Sequence, residues 1–414
     1  MSLDPQWVRP HFPSLASGTL FFDNPGGTQV TQSVIDAVTQ YYLTANANHG
    51  GAFPTSARSD AWVHRARETF ADLINAPSAD EIVFGPNMTT LTFNLSRALG
   101  RQLNPDDEII FTQLDHDANV APWVALQERG AVIKRVGINT DDCTLDMADF
   151  ERQLSTRTRV VAVGLASNAV GSVNPVRTII DLAHMAGALV YVDAVHYAPH
   201  FPIDVQALNC DFLVCSAYKF YGPHLGILYG KSEHLDHLPA YKVRPASDAP
   251  PDKFETGTPS FEAIVGGAAA VDYLASVGET FGAPYAVRTP QFSGRRLHCK
   301  TALAAIQAYE KNLLIRLMSG LSELPGIRIY GITDVARFDF RAPTVALTLQ
   351  GHTPREIAAH LGRANINVWD GNYYALSLME QLDLERTGGA VRVGLAHYNT
   401  AAEVDRLLDA LSAF

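Results

Sequence analysis

Between residues 81 and 230 the chain alternates short apolar runs with helical patterns, and this alternation limits the folds open to it. "EIVFGP" precedes "MTTLTFNLSRAL", "DEIIFTQL" precedes "NVAPWVALQERG", and "AVIKRVG" precedes "MADFERQL". "TRVVAVGLAS", "VRTIIDLAHMAGA", "LVYVDAV" and "CDFLVCSAYKFYGPHLGILYG" follow. Strands that are apolar on both faces and separated by helices predict a mostly parallel central sheet covered by helices on both sides, an α/β fold. In such sheets ligands bind beyond the carboxyl ends of the strands. After about residue 285 the texture changes. One long helical pattern is followed by four strand candidates, "IRIYG", "TVALTL", "INVWD" and "VRVGLA", with helical "PREIAAHLGRA" and "AEVDRLLDALSAF", which reads as a smaller α+β domain. We therefore expect an N-terminal segment (1–20) packing on the small domain, a large domain (21–285) and a C-terminal domain (286–414), a division that suits 414 residues.

Composition excludes several classes. Against 32 basic residues stand 43 acidic ones, a net charge of −11, so no electrostatic footprint for nucleic acid exists. No apolar run reads as a membrane span, and the N-terminus lacks a signal pattern. The four cysteines (Cys143, Cys210, Cys215, Cys299) form no CxxC and read as reduced thiols of a cytoplasmic protein. No G-x-G-x-x-G opens a helix after an early strand, and no metal site is expected: His196 and His200 are separated by Pro199, which opposes a shared helical face.

Polar groups gather where the strands should end: His116 after "IIFTQLD", Asn168 after "VVAVGLAS", Asp193 closing "LVYVD" and Lys219 closing "FLVCSAYK". A lysine there suits Schiff-base chemistry, because burial lowers its pKa and leaves free amine. Pyridoxal phosphate also needs an acidic partner for its ring nitrogen, and Asp193 lies one strand–helix–strand step upstream. Met88, Thr89 and Thr90 open a helix after a Gly-Pro-Asn turn and offer backbone amides for a phosphate, with Ser216 and Tyr218 as hydroxyl donors.

These segments, taken in order, resemble the class V aminotransferase and cysteine desulfurase group of fold-type I pyridoxal phosphate enzymes. "DHDANVAPW" (115–123), "SNAVGSVNPV" (167–176), "VDAVHYAPHFPIDV" (192–205), "CSAYKFYGPHLGILYG" (215–230), "FETGTPS" (254–260) and "VRVGLAHYNT" (391–400) carry the likeness. The resemblance implies that His116 stacks on the cofactor ring, that Asn168 lies near its phenolic oxygen and that Asp193 meets the pyridinium. It puts His196 where the family has glutamine, makes Lys219 the lysine bonded to the cofactor, and has Arg392 bind the substrate carboxylate. Thr258 would reach the phosphate of a neighbouring subunit, so a homodimer is expected.

One segment departs. The family's mobile loop carries a thiol, whereas "VWDGNYYALSLMEQL" (368–382) has Trp369 for the loop's arginine and Tyr374 at the cysteine's place. The expected function is therefore a pyridoxal phosphate enzyme acting on an amino acid through Lys219, first an aminotransferase. The alternatives are a cysteine desulfurase-like lyase or an epimerase using His116 or Tyr374 as a second acid–base group, and beyond them a non-catalytic relative. The residues name no substrate.

Overall fold

The computed structural model describes residues 2–414. Its centre is a seven-stranded sheet of β1 (Ile82–Gly85), β2 (Glu108–Thr112), β3 (Val132–Val136), β4 (Thr158–Gly164), β5 (Leu189–Asp193), β6 (Phe212–Ser216) and β7 (Gly226–Gly230). The spatial order is β1-β7-β6-β5-β4-β2-β3. All neighbours are parallel except around β7, which runs antiparallel to β1 and β6. That reversal follows from the short turn after Lys219, since a parallel return needs a crossover of a dozen or more residues. β2, β5, β6 and β7 are buried at nearly every position. Apolar faces on both sides of the sheet pack into two clusters, one around Val161, Val190 and Leu213, the other around Ile109, Tyr191 and Phe212.

A second, four-stranded sheet contains β8 (Ile327–Tyr330), β9 (Thr344–Leu349), β10 (Trp369–Gly371) and β11 (Ala390–Gly394), in the order β8-β9-β11-β10. "INVWD" does not form one strand. Ile366–Asn367 pairs instead with Leu20–Phe21, so Val368 marks a change of partner. Leu313, Leu317, Val345, Ile357, Val393 and Leu407 form a separate apolar cluster, and we propose this as the core of the C-terminal domain. The helix Gly294–Glu323 straddles that division: Ala302 and Ile306 join the large cluster, Leu313 and Leu317 the small one.

The segment before residue 20 touches both units. Arg9 donates to Glu403 Oε1 and to the Tyr398 carbonyl, each at 2.8 Å. The Phe12 ring, 2% exposed, meets Tyr221, Tyr273, His397 and Tyr398 at centroid distances of 5.5, 5.4, 5.8 and 4.9 Å. Truncating such a side chain to alanine costs about 3–5 kcal/mol.

The helix Phe261–Phe281 escapes the reading of the sequence. It is apolar over most of its surface, with its polar residues Glu262, Asp272, Ser276, Glu279 and Thr280 on one narrow stripe, so the helical period is weak. Its length and a mean hydropathy of 1.2 over 18 residues would suit a membrane span, but 72% of that window is buried inside the molecule. It crosses the 294–323 helix so closely that a Cβ at Gly278 would run into the His298 carbonyl. "NVAPWVALQERG" also departs from expectation: after one α-turn at Ala121–Val124 it tightens into a 3₁₀ stretch, Ala125–Arg129.

Candidate active site

β6 ends at Ser216, and a 3₁₀ turn, Ala217–Lys219, carries the lysine beyond the strand, so Lys219 lies past the strand end. Lys219 Nζ donates to the carbonyl of Pro25 and lies 4.7 Å from the centroid of the Tyr218 ring. That ring stacks on His224, 5.0 Å away. The 25–28 loop is tied to this turn. Thr28 N donates to the Tyr218 carbonyl at 3.1 Å, and Tyr221 N donates to Thr28 Oγ1 at 2.9 Å. Burial and then the Arg392 guanidinium push the lysine down to about 7, against a smaller pull from Asp193. An ordinary lysine is fully protonated at neutral pH; this one holds a substantial fraction as the nucleophilic free amine.

Asp193 is the last residue of β5, the strand beside β6. Its Oδ1 accepts from Val195 N at 2.8 Å, and burial pushes its carboxyl up to about 6. Behind it Asp115 is buried, accepting from Thr112 Oγ1 at 2.5 Å and Asn119 Nδ2 at 2.9 Å, and is pushed up to about 7, mainly by burial. Those contacts fix the turn that presents His116. Its Nδ1 accepts from Ala118 N at 3.0 Å, and burial, with Lys219 and Arg392, holds the imidazole down at about 4 and therefore neutral. Its ring stacks on Tyr374 with centroids 5.3 Å apart and planes 24° from parallel.

Arg392 lies on β11, so the small sheet supplies one wall. Its Nη1 donates to the Asn168 carbonyl at 2.9 Å, and its guanidinium carbon sits 4.4 Å from the Tyr373 ring centroid. Asn168 Nδ2 donates to the Tyr373 carbonyl at 2.9 Å. His196 is buried and held well below the usual imidazole range by burial, then by His200. Pro199 does not keep the two histidines apart. A run of turns brings their rings to 5.5 Å, and His200 Nδ1 pairs with Glu310 Oε2 at 2.8 Å. Among the described residues no group of three His, Cys, Asp or Glu is placed to hold a metal.

The helix Met88–Gly100 points its start at the same space. Asn87 caps it, accepting from Thr90 N at 2.8 Å, so the Thr90 amide is already occupied; Met88 N donates to Ser216 Oγ at 3.3 Å. Asn87, Met88 and Thr89 line the cavity; Thr90 does not. Nor does Thr258, which lies exposed on the 244–260 connection. The cavity measures about 890 Å³ and also brings in His116, Asn168, Asp193, His196, Ser216, Tyr218, Lys219 and Arg392. The motifs do not reveal Phe93, Asp370, Asn372, Tyr373 and Glu385, which complete the lining through tertiary contacts alone. A glycine signal was available at Gly26, where a Cβ would meet the indole of Trp369.

Three buried polar atoms of residues lining this cavity lack partners: Asn168 Oδ1, His196 Nε2 and Arg392 Nε. Unsatisfied buried groups are costly, and a polar ligand that meets them removes that cost. With a lysine whose pKa burial lowers, a buried aspartate one strand away and a helix start, they fit pyridoxal phosphate. The family model for aminotransferase class V matches residues 20–289 and 294–407. The chain belongs to the aminotransferase class-V family. Members of this family use pyridoxal 5'-phosphate, and the protein is a pyridoxal phosphate enzyme. It is 33% identical to a cysteine desulfurase of Pectobacterium atrosepticum, over 99% of this chain and 98% of that one. It is 34% identical to a probable cysteine desulfurase of Mycolicibacterium paratuberculosis over 98% of this chain, but spans only 57% of that longer protein. Among solved structures, the apo cysteine desulfurase of Thermococcus onnurineus NA1 superposes with a TM-score of 0.87 at 28% identity, covering 99% of this chain and 97% of that one. The class V fold is thus present from the first strand to the last helix.

Proposed function

We propose that the protein is a cysteine desulfurase-like lyase that cleaves a sulfur substituent from an amino acid without using a thiol of its own. The names of the relatives support the lyase half of this reading over transamination, the reading we placed first from the sequence. One observation carries the other half: no cysteine lines the cavity. All four cysteines are buried, and burial pushes them up to between about 11 and about 12, so they are protonated and unreactive. Tyr374, 71% exposed, stands at the rim instead. A phenol cannot accept a sulfur atom as a persulfide.

When bound, pyridoxal phosphate supplies an electron sink for the pair left by loss of the substrate's α-proton. The amine of Lys219 would move that proton, Arg392 would bind the α-carboxylate, and Asp193 would be the acidic partner of the ring nitrogen. The Asn87–Thr89 helix start takes the phosphate, while His116 and Tyr374 wall the site against water. Thr258, exposed and outside its own cavity, is proposed to complete the site of a second copy of the chain in a homodimer. Four buried, unpaired cysteines support a cytoplasmic setting.

Incubation of the loaded protein with L-cysteine tests the reading by its products. Thiol-free lyase chemistry converts cysteine and water to sulfide, ammonia and pyruvate. Alanine with sulfur left on the protein would overturn the proposal in favour of protein-persulfide chemistry. Amino transfer to a keto acid without sulfide would restore transamination.

A further inference from the structure

Arg392 is buried, yet its guanidinium is only partly satisfied. Nη1 serves the Asn168 carbonyl and Nε has no partner, which leaves the Nε–Nη2 edge, the side-on fork of the group, for a ligand. What holds that edge in place is Tyr373. Its ring lies under the guanidinium at 4.4 Å, within the range of a cation–π contact. The tyrosine is itself fastened at several points. Its hydroxyl donates to the carbonyl of Ala390, two residues from Arg392 on the same strand, and its carbonyl accepts from Asn168 Nδ2 at 2.9 Å. The next carbonyl, that of Tyr374, accepts from Asp117 N at 2.7 Å. The backbone pays for this placement with left-handed conformations at two successive non-glycine residues, φ +53° at Tyr373 and +59° at Tyr374. Such strain persists only where surrounding contacts impose it.

We propose that Tyr373 is a positioning residue for substrate recognition. Its ring face holds the Arg392 guanidinium so that the Nε–Nη2 edge meets the α-carboxylate side-on. The inference rests on Arg392 as the carboxylate reader and not on which bond of the substrate is later broken.

The test compares two amines that differ only by the carboxylate, L-alanine and ethylamine, titrated into the pyridoxal phosphate-loaded protein and followed by the bound cofactor's absorbance. Tyr373→Leu is expected to weaken L-alanine roughly tenfold and leave ethylamine unchanged. Equal weakening of both amines would assign Tyr373 a merely structural role, and no change in either would remove it from recognition; both results overturn the proposal. Should Tyr373→Leu fail to fold, a graded series keeps the question open to refutation: phenylalanine at 373, then its mono- and trifluorinated analogues. Drained ring faces must weaken L-alanine stepwise with ethylamine flat, and a flat series for both overturns the proposal. Arg392→Ala stands as the separate control. Unchanged L-alanine binding there sinks the carboxylate-reader reading itself, whatever products the enzyme makes.

Discussion

The floor and the rim of the cavity are built on opposite plans. The floor consists of residues at or just past the ends of buried parallel strands: Asp193 on β5, Lys219 after β6, Asn168 after β4 and His116 after β2. The rim, residues 371–374, is not carried on the ends of that sheet and is shaped by positive φ values at Gly371, Tyr373 and Tyr374 and by hydrogen bonds from residues distant in sequence. The resemblance read from the sequence runs through the floor segments, whereas the 368–382 segment departs from it at Trp369 and Tyr374. The difference teaches that a rigid sheet keeps the shared proton chemistry while a loop held by tertiary contacts is free to change what happens to the side chain.

The sharpest way to break the comparison is at the floor. Lys219→Ala should lower turnover by at least about 10³-fold with the fold intact, and borohydride reduction followed by mass spectrometry should find no cofactor-modified peptide. Arg392→Ala, on the wall between floor and rim, should raise the KM for an amino acid by about 100-fold with a smaller change in kcat, measured by steady-state kinetics. A third check uses pH. With Lys219 at about 7, the rate at which cofactor-free protein takes up pyridoxal phosphate should fall about tenfold per unit below pH 7 and level off above it, because only the free amine attacks. At the rim, Tyr374→Cys should add one thiol that iodoacetamide labels without denaturant, while the four native cysteines stay unlabelled; labelling of a native cysteine would undo the thiol-free reading.

The smallest effect separates stability from function. Glu108 starts β2, at the end of the strand away from the site. Burial alone would raise its pKa, but Lys134 at 2.7 Å, Ser155 at 2.6 Å and Arg157 at 2.9 Å hold it down at about 2. A carboxyl depressed on folding contributes stability above its unfolded value and loses it as pH falls from about 4.5 towards about 2. Glu108→Gln should therefore lower the Tm by a few degrees at neutral pH, remove that acid-side loss, and leave cofactor binding unchanged, as read by calorimetry and absorbance.

The sequence makes the floor legible because a strand buried on both faces announces itself as an apolar run, and the polar residue that ends it stands out. Asp193 and Lys219 are both of this kind. Tyr373 is not, since its function lies in a ring seated under an arginine from another element, and nothing in "GNYYA" encodes that meeting. The 261–281 helix is hard to read for the opposite reason: burial over most of its surface leaves only a narrow polar stripe to mark the helical period. The Thr90 amide, expected among those free for a phosphate, is the one that Asn87 caps, a contact set by the local turn.

The thirty-residue helix Gly294–Glu323 is also a beam. At about 1.5 Å per residue it runs some 45 Å without a break, with one end embedded in each apolar cluster. A hinge motion that parted the two apolar clusters would have to bend that beam, so the walls of the cavity share one girder.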